Sequence, residues 1–126
     1  MAPETPTSTP TSTPTDLPAV ARALLDDARS SAHGRSAQLL LHDGVLRQTA
    51  IALTAGTELA EHNSPHAASL LVLAGRVRVT GQEEATVDEG VLTVLTHQRH
   101  AVRALEDAVF LLTTVTGLAD EQVAAG

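Results

Sequence analysis

Apolar positions change period once along the chain, from a helical spacing to an alternating one. Leu17, Val20, Ala21, Leu24, Leu25 and Ala28 recur three and four residues apart, which lays one apolar stripe along a helix. Thr15 or Asp16 supplies the cap, Pro18 suits the first turn, and Gly34 suits the exit. The pattern predicts a helix over about 17–32, within a helical segment assigned to 17–33. Arg22, Asp26, Asp27 and Arg29 lie mostly around the rest of its circumference, so the stripe needs a sheet or a partner subunit to cover it.

From Gln38 onward the runs are short and strand-like. "SAQLLLH" and "LRQTAIALTAG" flank Asp43-Gly44, a turn signal. "ASLLVLAGRVRVTG" alternates beyond Gly75, with Val77 and Val79 on one side and Arg76 and Arg78 on the other, solvent-facing side. "EATVDEG", "GVLTVLT", "HAVRAL" and "AVFLLTTVTG" follow. Strands parted by turn residues, without crossover helices, predict an all-β fold, an antiparallel sandwich or barrel. The barrel is assigned to 37–117. Upstream, residues 5–15 read "TPTSTPTSTPT", and such a segment buries nothing. Residues 1–16 are expected to be a disordered arm and 118–126 a flexible tail.

Composition narrows the chemistry. The 126 residues leave room for one core, built from Leu, Val, Ala and Ile because Phe110 is the sole aromatic residue. No aromatic platform exists for stacking bases. The net charge is −7, and all 8 basic residues are arginines. Phosphate backbones and anionic membranes repel such a chain, so neither nucleic acid nor membrane is an expected partner. No leader peptide or membrane-spanning run is visible, and a cytoplasmic protein is the simplest expectation. The lack of Cys, Lys and Tyr excludes thiol nucleophiles, Schiff bases and phenolic acids. His, carboxylates, Arg, Ser and Thr remain.

Gly56, His62 and Gly75 then assume significance together. The sequence resembles the cupins, small jelly-roll barrels that commonly hold a metal in the barrel mouth. Their first motif runs glycine, five residues, histidine, one residue, histidine, three or four residues, glutamate, six residues, glycine. Gly56, His62 and Gly75 fall in that register, whereas Ser64 stands at the second histidine and Ala68 at the glutamate. The second motif opens on Gly90 and continues through "VLTVL". Thr96 replaces its proline, Gln98 its glycine, and His100 arrives one residue early. "LRQTAIALTAG", "EHNSP" and "RALEDAVFLLT" look like a group of small single-domain bacterial cupins without an assigned activity. The likeness covers about 37–116 and implies an antiparallel jelly-roll barrel with one N-terminal helix.

Metal sites of that family usually combine three histidines and a glutamate. Imidazole and carboxylate suit Fe, Mn, Ni, Zn or Cu, and open positions admit a substrate. The resemblance implies His62 and His100 as ligands of such a divalent transition metal. His66 shares parity with positions 64 and 68, which point inward in the family, so a set of His62, His66 and His100 is geometrically reasonable. Alternatively, Pro65 makes a turn that leaves His66 on the rim, and metal binding is abandoned. His97 is a fourth ligand, a rim proton carrier or a solvated loop residue. His42 is expected to be exposed, and His33 to complement the helix dipole.

Arg47 and Gln48 are adjacent, so only one faces inside. Gln48, inward with Ala50 and Ala52, would hydrogen-bond a ligand; Arg47, inward, would clamp an anion. The leading expectation is a metal-binding cupin with a small molecule in its barrel and no reaction assignable. The alternative is a metal-free binding, sensory or structural module. A homodimer is expected in either case, from strand edges needing cover and from the resemblance.

Overall fold

The computed structural model describes residues 13–60, 67–81, 83–95 and 100–116. One helix, α1 (Leu17–Ser30), precedes nine strands: β1 (Arg35–Asp43), β2 (Leu46–Leu53), β3 (Glu58–Ala60), β4 (Ala67–Ala74), β5 (Arg76–Thr80), β6 (Ala85–Asp88), β7 (Leu92–Val94), β8 (Ala101–Ala104) and β9 (Ala108–Val115). They form two antiparallel sheets, a five-stranded one ordered β1-β2-β9-β4-β7 and a four-stranded one ordered β3-β8-β5-β6. The arrangement is a jelly-roll barrel.

Asp16 caps α1, its side chain accepting from the Ala19 N–H at 3.1 Å. The helix stops at Ser30 because Ser31 turns extended, its N–H donating to the Ala28 carbonyl. The apolar stripe lies on the outer face of the large sheet. Ala21, Leu24 and Ala28 pack against Ala50, Ala52 and Val109, all small enough to let helix and sheet approach closely.

The other face of the same strands looks into the barrel. Ile51 and Leu53 of β2, Leu70 and Val72 of β4, and Phe110 of β9 meet Val77, Val79, Val87 and Val102 of the small sheet. Phe110 is fully buried and is the largest side chain there. Arg76 and Arg78 are exposed on the opposite side of the small sheet, as the alternation with Val77 and Val79 implies, and Arg76 pairs with Asp88 at 2.7 Å.

One end of the barrel is tightly held. Gly75, at φ 78°, turns β4 into β5 against the backbone of Asp107 and Ala108; a Cβ there would collide with the Asp107 carbonyl oxygen. The Asp107 side chain accepts from the Ala55 N–H at 2.9 Å and from Arg29 Nε at 2.9 Å, tying α1 and the β2–β3 turn to the β8–β9 turn. Its carboxyl is held below the ordinary carboxylate value, chiefly by the Ala55 N–H and then by Arg29. No helix among the described residues is long and apolar enough to cross a membrane.

Candidate functional site at the barrel mouth

The opposite end is the mouth. β2 and β4 begin there and β9 ends there, with Arg47 opposite Thr114 and Thr114 opposite Ala68. On the small sheet Ala60 of β3 pairs with Ala101 of β8, so His100 stands immediately outside this pairing. Leu95 closes onto β4 through its N–H, which donates to the Ala68 carbonyl at 2.9 Å.

Strand alternation fixes which side chains look inward. Arg47 and Thr49 share parity with the core residues Ile51 and Leu53. Thr114 shares it with Leu112 and Phe110, and His100 with Val102 and Ala104. Among the described residues the mouth therefore carries one guanidinium, one imidazole and two hydroxyls above an apolar floor. Arg47 is exposed, while Thr49, Thr114 and His100 are half-buried.

Gln48 has the other parity. Ala50 and Ala52 belong to the helix-packed outer face, so of the two expected orientations the one with Arg47 inward holds. Gln48 lies instead on the outer face, where its amide nitrogen donates to Thr113 Oγ1 at 3.2 Å. The inward pointing of Gln48 with Ala50 and Ala52 is corrected by the covering helix. Thr49 and Thr114 were missed as mouth residues; the signal was their two-residue step from Ile51 and Leu112.

Position 68, where the family places its glutamate, is inward and 8% exposed, and Ala68 offers only a methyl group there. No described residue of the barrel core is both buried and polar, and among the described residues no three metal-ligating side chains converge. Of the expected ligands, His100 alone falls within the described residues; His62, His66 and His97 lie outside them. Among the described residues, the expected donors at the mouth are therefore one imidazole, with a methyl at position 68. β3 and β7 end, and β4 and β8 begin, at this same end.

Comparison with solved structures gives the class. The fold matches a conserved protein of unknown function from Streptococcus pyogenes, 30% identical over 71% of this chain and 80% of that one, with a TM-score of 0.63. It also matches an RmlC-like cupin from Desulfovibrio desulfuricans, at 23% identity over 64% of this chain and 81% of that one, TM-score 0.57. A salicylate 1,2-dioxygenase from Pseudaminobacter salicylatoxidans shares 17% identity over 77% of this chain but only 33% of its own length, TM-score 0.67. No protein-family model and no curated protein sequence matches the chain. The chain has the fold of the cupins, a small jelly-roll domain.

Proposed function

We propose that this cupin domain binds a small anionic molecule at the barrel mouth without a complete metal centre. The observation supporting this is Ala68, a buried methyl where a metal-binding member would present a carboxylate. Arg47 serves as the anion clamp, Thr49, Thr114 and His100 supply hydrogen bonds, and Leu112 accommodates the apolar part of the ligand. Salicylate, which appears in the name of one structural neighbour, is a suitable probe. Calorimetric titration should show saturable binding that Arg47→Ser weakens about tenfold, roughly 1.4 kcal/mol. Binding unchanged by Arg47→Ser would overturn the assignment.

A second reading is favoured by one observation, the inward register of His100 at the end where β3 stops and β4 starts. In it His62, His66 and His100 hold Fe, Mn, Ni, Zn or Cu, which would act as a Lewis acid or activate oxygen. Metal content measured by mass spectrometry on untagged protein separates the two. Near-stoichiometric metal, lost in His62→Ala and in His100→Ala and retained more tightly in Ala68→Glu, replaces the first reading by the second.

The assembly proposed is a homodimer formed through the outer face of β7. Leu92 and Val94 are 61% and 67% exposed there, and their burial against a second copy is favourable.

A further inference from the structure

A second cavity lies outside the barrel, on the outer face of the large sheet beside the start of α1. Its volume is about 520 Å³, within the range of roughly 300–1,000 Å³ typical of small-molecule sites. Leu17 forms one wall and Leu40, Leu41 and Leu111 the floor, with Gln48 and His42 at its polar side. Thr13 and Thr15, ahead of the helix, complete the rim.

A backbone irregularity builds this floor. Leu39 pairs with Thr49 and Leu41 with Gln48, so Leu40 is an extra residue without a partner. In a regular strand Leu40 and Leu41 would face opposite sides. The bulge lets both line one cavity, and bulges re-aim side chains in this way beside binding sites. The polar side is equally specific. The Gln48 amide nitrogen is engaged by Thr113, while its carbonyl oxygen accepts no hydrogen bond from the described residues. A half-buried acceptor next to three leucines asks for a donor carried on an apolar body.

We propose that this outer cavity binds a small neutral molecule, apolar over most of its surface and bearing one N–H or O–H donor for Gln48 Oε1. Neutrality follows from the lining, which carries neither a carboxylate nor a guanidinium to pair a charge, so burying an ion of either sign there is costly. The site is separate from the mouth, because Gln48 and Arg47 point to opposite faces of β2.

N-phenyl-1-naphthylamine is the probe: a neutral apolar amine with a single N–H donor, fluorescent when shielded from water. Titrated into the full chain, it should show saturable binding at one site per chain. Thr15→Trp, at an exposed rim position, fills the cavity without disturbing the core and should raise the dissociation constant at least about tenfold. Gln48→Leu should weaken binding while circular dichroism stays unchanged. Arg47→Ser, which tests the mouth, should leave it intact. Non-saturable binding, or binding indifferent to Thr15→Trp, overturns the proposal. Binding abolished by Leu92→Ser with Val94→Ser instead overturns it by placing the dye on the β7 face.

Discussion

Three of the five described glycines with a left-handed backbone differ in the space around them, and alanine substitution separates the two effects. Gly56, Gly75 and Gly90 have φ of 87°, 78° and 83°. An L-residue in that conformation costs about 1–2 kcal/mol, and this is the whole expected cost at Gly56 and Gly90, where nothing lies within 4 Å of an added Cβ. At Gly75 the new atom meets the Asp107 carbonyl oxygen and sits 2.9 Å from Ala108 Cα. Both are backbone atoms of the turn that Arg29 and Ala55 hold in place, so neither yields by a rotamer change. Relieving that overlap adds about 2 kcal/mol, in line with overpacking elsewhere. Gly75→Ala should therefore cost about 3–4 kcal/mol, against 1–2 for the other two. Without Trp or Tyr the chain has little intrinsic fluorescence, so urea unfolding followed by far-ultraviolet circular dichroism is the assay. In heat, the extra 2 kcal/mol corresponds to a Tm lower by about 8–16 °C. Equal losses at the three positions would refute the close approach of the β4–β5 turn to Asp107.

Asp107→Asn should destabilise the protein near neutrality by about 1 kcal/mol, a figure kept small because the Asp107–Arg29 pair is 35% and 53% exposed. Since folding lowers the pKa of Asp107, its stabilisation is complete above the unfolded value and is lost as pH falls through the folded one; urea midpoints of the two proteins should converge in acid. Phe110→Ala, removing the largest buried side chain, should cost about 3–5 kcal/mol, read by the same unfolding assay. Sedimentation velocity at micromolar concentration should show a dimer for the natural chain and a monomer for Leu92→Ser with Val94→Ser, both with identical circular dichroism; a monomeric natural chain would end the dimer proposal.

The parts of the fold that sequence reveals are those with water on one side. Val77 and Val79 alternate with exposed Arg76 and Arg78, so inside and outside are written in the residues themselves. Asp43-Gly44 marks its turn just as directly, and Gly75 marks the step between sheets. β2 is different. Ile51 and Leu53 enter the barrel while Ala50 and Ala52 lie under α1, so both faces are buried and alternation disappears. That is why the sequence leaves the orientation of Arg47 and Gln48 open, and only the covering helix decides it. β3, with three residues and one inward side chain, Leu59, leaves too little pattern to read. The bulge at Leu40 leaves none, since three consecutive leucines fit either face.

The ties made by Asp107 have a mechanical consequence for the whole barrel. Helix, β2–β3 turn and β8–β9 turn are pinned together at one end, while the strands at the other end leave Arg47 exposed and Thr114 half-buried. That asymmetry predicts a domain like tweezers joined at the heel, stiffer at the Asp107 end of each long strand than at the mouth. Amide exchange along β9 should accelerate from Phe110 towards Val115. A ligand entering at the mouth would meet strand tips that spread by small amounts while the phenyl ring below them stays locked.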